Sequence, residues 1–335
     1  MRNLVWPASA RGERLRRNEE ATVRRVLAPV GGVAVITAVV GSLASGGLAT
    51  TPGKNGLMAY AQELSPQHFQ IFTIRPDGSG ARQITHAVSA EHPDWSPNGK
   101  KIVFELERQK PFRKGIALMS ASGTGVRILT PRGIQGQPSF SPAGGSIVYE
   151  RDIAAGNDSV WIMRADGTHK RRVTRSPFGD TDPNFSPDGK LITFVRVKKE
   201  HRQQALFAVR PDGSALRRLT PYSWDVGIKH DWSPDGKLIV LTTNGDLARP
   251  GESANLVTIR PNGSGMTRLT RFTGETNNAL AGSFSPDGKQ IVFRLEQGDK
   301  SSLAVVNRDG SHLRSLTKPS ADRPRFIDWG PRPTP

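Results

Sequence analysis

Apolar residues in this chain come in runs of three or four, such as Ile102-Val103-Phe104, Val160-Trp161-Ile162-Met163 and Leu206-Phe207-Ala208-Val209. Pro, Asp or Asn, and Gly bound most of these runs. Pro presets φ, Asp or Asn bonds the nearby backbone, and Gly takes the positive φ that other residues resist, so the boundaries read as tight turns. Short apolar runs between such turns predict β-strands. Because the apolar residues stand at consecutive positions, the strands are expected in sheets covered on both faces.

The runs belong to a repeat. An aromatic followed by Ser-Pro-x-Gly and an apolar strand occurs at Trp95, Phe140, Phe185, Trp232 and Phe284, and a truncated copy, Trp-Gly-Pro, begins at Trp329. The spacings are 45, 45, 47, 52 and 45 residues. A second motif alternates with the first: an apolar strand, a Gly turn and an Arg-rich strand ending in Leu-Thr or its like, starting at Ile71, Ile116, Val160, Leu206, Leu256 and Leu303. Two motifs holding one period of four short strands, here named A to D, are the size and content of a propeller blade. The ends agree. Residues 53–60 match the turn and strand B with no strand A before them, and 325–329 supply a strand A with nothing after it. The expectation is an all-β, six-bladed β-propeller over 55–331, closed by pairing of 326–329 with 57–60, which abolishes the open edge.

The repeated FSPDGK-x-I-x-F with its downstream RPDGS-x-x-R-x-LT resembles the TolB-type β-propeller repeat, also found in the propellers of prolyl oligopeptidase-like enzymes. The resemblance covers everything after the leader and implies a propeller fold, with TolB's own role one of protein contact in the cell envelope. No Gly-x-Ser-x-Gly nucleophile elbow occurs in the sequence, so serine peptidase activity does not carry over.

The leader changes the picture of where the propeller works. Residues 1–25 are polar and Arg-rich, and residues 26–49 carry no charge. That order is expected of a secretory signal or of an uncleaved membrane span, with 50–54 as linker and 332–335 as tail; either way the propeller is expected outside the cytoplasm, as a periplasmic, extracellular or membrane-anchored protein. The chain has 335 residues and no Cys, which excludes disulfides, thiolate nucleophiles and Cys-based metal sites. Net charge is +17, and setting aside the 7 Arg and 3 Glu of the first 50 residues leaves +13. Such a field favours acidic partners: anionic envelope polymers or membrane surfaces. Nucleic acid is not expected, since no aromatic platforms are interleaved with the charge.

Strand direction places the A–B and C–D turns on one face and the variable B–C and D–A connections on the other, where function is expected. Tyr222, Trp224 and Phe272 in that face's long D–A loops, 221–230 and 271–281, are candidate binding residues, with packing on the adjacent blade the preferred reading. Residues ahead of strand A are expected to line the channel mouth: Glu91, His92, Gln137, Asp182, Lys229, His230, Asp322 and Arg323. His92 and His230 stand three repeats apart, too far to share a metal, so a solvated lining is expected over a catalytic site, and no metal, cofactor or catalytic residue is assigned. The recurring Arg residues of strand D read as a solvated outer edge. The overall expectation is a monomeric, non-enzymatic scaffold for an envelope protein or anionic polymer, with a channel-mouth enzyme or ligand site as the rival.

Overall fold

Each repeat forms one four-stranded antiparallel sheet, and the described residues hold six such sheets. The computed structural model describes residues 52–333 apart from 87, 110–111, 153–157, 199–202, 228, 245–251 and 275. The leader, the apolar segment 26–49, the start of the linker and the last two residues lie outside the described residues. Among the described residues no helix is long and apolar enough to cross a membrane. The innermost strands of blades 2 to 6 are Ser89–Trp95, Gln135–Phe140, Gly179–Phe185, His230–Trp232 and Asn277–Phe284. Blade 1 joins both ends of the propeller: Arg325–Pro331 is its innermost strand and pairs with Asn55–Ser65, which continues to His68–Ile74 and Arg82–Gln83. In the closing register Met58 faces Trp329 and Ala59 faces Asp328, as the incomplete end copies require.

The turn motifs have local causes. In the A–B turn the Ser hydroxyl accepts the backbone N–H five residues on, as Ser186 does from Leu191 at 2.9 Å, and donates to Asp188 Oδ1 at 2.7 Å. The recurring Thr after strand D is an acceptor too: Thr85, Thr130, Thr174, Thr220, Thr270 and Thr317 each take a backbone N–H from within their blade's strand C, at 2.7 to 3.0 Å. The C–D glycine has a second reason beyond its positive φ. A Cβ on Gly78 or Gly263 would stand 2.2 Å from the carbonyl oxygen of Leu316 or Leu219 in the preceding blade, so only glycine lets the blades close up there.

The core lies between blades, in six clusters around the ring. One of them joins Met58, Tyr60 and Ile74 of blade 1 to Val292, Leu303 and Val305 of blade 6, with Ile327 and Trp329 between. Each fully buried side chain of this size contributes about 1.5–3 kcal/mol. The strand D arginines do more than edge the sheet. Arg127, Arg171 and Arg217 each donate to a C–D turn carbonyl of the next blade, Asp166 at 3.0 Å, Pro211 at 2.8 Å and Pro261 at 3.2 Å. The guanidinium reaches across because strand D is only two residues long and leaves the neighbouring turn within range.

Candidate functional site at the channel mouth

Aligning the copies on their aromatic shows how the channel is built. Three residues before it stand His92, Gln137, Asp182, Lys229 and Phe326, and the residue directly before it is Asp94, Ser139, Asn184, Asp231, Ser283 or Asp328. At the first row the register of the innermost strand slips against its neighbour in blades 2, 3 and 4. His92, Gln137, Asp182 and Phe326 there take the left-handed backbone, with φ from 47° to 51°. With that bulge, three consecutive residues of the strand line the channel, His92 to Asp94, Gln137 to Ser139 and Asp182 to Asn184.

The second row makes a continuous polar belt. Asp328 accepts the backbone N–H of Trp95 at 2.7 Å, Asp94 that of Phe140 at 2.8 Å, and Asp231 that of Phe284 at 2.8 Å. Ser139 donates to Asn184 at 3.0 Å, and Ser283 donates to Asp231 at 2.9 Å and to Asp328 at 3.2 Å. The Lys229 ammonium faces this belt. Burial alone would lower its pKa, but the charges of Asp182, Asp328, Asp231 and Asp94 outweigh burial and raise it. Burial, with Asp231 as a repelling neighbour, pushes Asp328 up to about 6 against the pull of Lys229, and burial and Asp328 push Asp94 up as well.

Above the belt the mouth is a network of paired groups. His230 is fully buried; its Nδ1 lies 2.9 Å from Asp182 Oδ2 and its Nε2 lies 2.8 Å from Thr193 Oγ1, which also accepts from Trp232 Nε1 at 2.9 Å. Burial raises the Asp182 carboxyl, and the hydrogen bond and charge of His230 outweigh it, so its pKa is lowered. Across the mouth His92 Nδ1 lies 3.2 Å from Glu105 Oε2, and its ring stacks on Phe326 with centroids 3.5 Å apart. Lys114 lies 2.8 Å from Glu105 and 3.3 Å from Glu107. Burial works against ionising Glu105, yet His92 and Lys114 hold it at about 2. Burial raises Glu91. Glu91, Glu105 and Glu107 bring one oxygen each within 4.8 Å of one another, and the Lys114 ammonium already serves two of them. Between these groups the Thr181 hydroxyl bonds Glu150 and Gln137. The space left among the channel residues is about 10 Å³, room for one water.

Of the expected mouth residues, His92, Gln137, Asp182 and Lys229 line the channel recess, His230 is buried against Asp182, and Glu91 stands beside Glu105 and Glu107. Asp322 and Arg323 are not at the mouth. Asp322 lies at the junction of blades 1 and 6 in a recess shared with Tyr60, Gln62 and Lys318, and Arg323 is exposed on the connection before the last strand. Asp322 and Arg323 stand seven and six residues before Trp329, ahead of the last strand, and Phe326, three before it, takes the mouth position. Sequence reading missed the belt carboxylates, whose signal was a polar residue before the aromatic in every copy. Tyr222 and Trp224 form a 3-10 turn, and both are half-buried against blade cores, as is Phe272. Tyr222 also lies under Lys198 Nζ, 4.2 Å from its ring centroid.

Comparison with known proteins agrees with this architecture. An uncharacterised peptidase of Bacillus subtilis is 27% identical over 173 residues, which cover 43% of this chain and 26% of the peptidase. The Tol-Pal system protein TolB of Anaeromyxobacter dehalogenans is 34% identical over 90 residues, 27% of this chain and 19% of that protein. The chain thus spans well under half the length of these relatives. The crystal structure of TolB from Acinetobacter baumannii superposes with a TM-score of 0.69 at 23% identity, over 83% of this chain and 67% of that one. The family model of the TolB β-propeller domain matches residues 131–332, more than half of the sequence, and the chain belongs to that family.

Proposed function

We propose that this chain is an exported, non-catalytic propeller that holds a protein partner of the cell envelope on its loop face. The channel supports no roomier reading. Each of its two histidines lies against a carboxylate, the belt carboxylates are taken up by backbone N–H groups, and the free space takes one water. A substrate would have to break those pairs before it met an acid or base.

One observation carries the reading: the loop face presents large apolar side chains that the repeat does not explain. Leu64 and Phe112 lie at the B–C hairpins of blades 1 and 2, and Ile134 just ahead of the innermost strand of blade 3, exposed by 48%, 44% and 38%. They stand on three consecutive blades beside the acidic mouth of Glu91 and Glu107. Apolar anchors next to charge suit a protein surface with a hydrophobic centre and polar rim. The kinship with the Tol-Pal protein of Anaeromyxobacter dehalogenans supports an envelope setting, and the leader supports export. The test is crosslinking capture from the producing cell's envelope with residues 52–335 as bait, beside a Leu64→Ser, Phe112→Ser, Ile134→Ser variant. One protein recovered by the parent and lost by the variant supports the reading; equal recovery by both, or none by the parent, defeats it.

A further inference from the structure

The face opposite the mouth carries the short A–B and C–D turns, and it holds features that neither the repeat nor a loop-face partner requires. The second residue of the C–D turn is Pro76, Ala121, Ala165, Pro211 and Pro261 in blades 1 to 5, but Arg308 in blade 6. Arg308 reaches back to blade 5, where its Nη1 and Nη2 donate to Asp235 Oδ2 and Oδ1 at 3.0 and 3.3 Å. Partial burial pushes the Asp235 carboxyl up, but the Ser233 hydroxyl and the Arg308 guanidinium outweigh it and hold it at about 2. The fixed guanidinium walls an open depression of about 610 Å³, lined also by Lys237, Leu238, Arg260, Pro261 and Asn262. Arg260 runs along Gly265, where a Cβ would come within 3.2 Å of its Cζ. Three cations here face one carboxylate, and Leu238 and Pro261 add an apolar floor.

An independent feature is apolar. The residue that opens strand D after the C–D turn is Val126, Leu216, Met266 and Leu313 in blades 2, 4, 5 and 6, exposed by 50%, 45%, 44% and 40%. Blades 1 and 3 have Ala81 and Lys170 there, so the fold itself needs no large apolar group at this position. Met266 and Leu313 follow the two turns that wall the depression, and Leu216 with Arg217 follows the turn of the blade before. A soluble polyanion would use the cations and gain nothing from exposed Leu and Met. A lipid surface uses both: phosphates meet the cations while apolar side chains enter the headgroup and acyl boundary.

We propose that the turn face of blades 4 to 6 docks on an anionic phospholipid surface, with a headgroup phosphate seated among Lys237, Arg260 and Arg308, and Leu216, Met266 and Leu313 entering the interface. The loop face then points away from the membrane. The inference stands apart from the identity of any loop-face partner.

The test is vesicle co-sedimentation of residues 52–335, which contain every strand of the closed ring, on phosphatidylcholine with and without phosphatidylglycerol. Thermal unfolding first establishes that each variant is folded. Binding is expected only with the anionic lipid. Each cation near such a surface is worth roughly fivefold in partition, so Lys237→Ala with Arg260→Ala should weaken binding about 25-fold. Met266→Asp with Leu313→Asp should abolish it, whereas Arg132→Ala with Arg175→Ala, exposed on the loop face, should change it far less. Glycerol phosphate should compete weakly. The proposal is overturned if the neutral vesicles bind as well, if the loop-face pair weakens binding as much as the turn-face pair, if the aspartate variant binds like the parent, or if glycerol phosphate or soluble polyphosphate binds while vesicles do not.

Discussion

Glu150 gives the sharpest test of the channel's electrostatics. It sits on Ser146–Asp152, the second strand of blade 3, opposite Gly136 of the innermost strand. Burial, then the charge of Asp158, raise its carboxyl to about 8 from a usual 4.5, against the Thr181 hydroxyl bond that favours the ionised form. An acid raised in the folded state stabilises below its unfolded pKa, and that stability is lost as pH rises through the folded one. The window is thus about pH 4.5 to 8. A shift of this size corresponds to about 5 kcal/mol as a ceiling. The side chain keeps some contact with the channel, so about 2–3 kcal/mol is the working figure after screening. Glu150→Gln reproduces the protonated shape without the charge. Urea unfolding of parent and variant at a series of pH values should show equal stabilities near pH 4.5, with the variant ahead by a few kcal/mol at pH 8.5 and above. The other titrating groups, Asp94 and Asp328 among them, cancel in the difference. Parallel curves across the whole range would refute the reasoning, because they would mean that Glu150 folds as a compensated anion.

Three further outcomes are expected. Arg196 donates from Nε and Nη2 to Asp180 at 2.6 and 2.9 Å, with Asp180 fully buried, so Arg196→Ala should cost about 3–5 kcal/mol by calorimetry or urea titration, and Arg196→Met with Asp180→Leu should recover much of it. Lys229→Met removes the ammonium facing the belt. The belt carboxylates must then take up protons to stay buried, so the loss of stability should be larger at pH 8 than at pH 5, and a loss independent of pH would contradict the charge assignment. Deleting 325–335 removes the closing strand with buried Ile327 and Trp329. Those two side chains alone are worth about 3–6 kcal/mol, comparable with a whole domain's stability, and a truncated protein as heat-stable as the parent would refute closure by that strand.

The fold was legible because its determinants are local and repeated. Ser-Pro-Asp-Gly makes its own turn within six residues, the Leu-Thr threonine caps a strand in its own blade, and the halves of blade 1 left at either end announce their pairing. Six copies of such signals leave little choice of architecture, since strands apolar at consecutive positions must be covered on both faces and a ring of blades covers them. The mouth was legible only in part. Counting three back from the aromatic finds His92, Gln137, Asp182, Lys229 and Phe326, whereas Asp322 and Arg323 stand seven and six residues before Trp329, outside that count; the bulge that turns the counted residues inward has no residue type of its own.

The chemistry of the channel was decided by closure. Asp328 bonds the N–H of Trp95, 233 positions away in the sequence, and Asp94 and Asp328 join Asp231 as neighbours of Lys229 only when the ring shuts. The raised pKa values of Asp94 and Asp328 follow from burial and from the neighbouring carboxylates that the closed ring brings near, against the pull of Lys229. The arginines divide in the same way: the recurrence of the strand D arginines is a property of the sequence, but that Arg171 clasps the next blade while the single Arg308 walls a depression depends on which turn stands within reach. Sequence thus determined the element and its period, through short-range backbone preferences; tertiary structure determined which charges meet, because electrostatic interaction depends on distance in space.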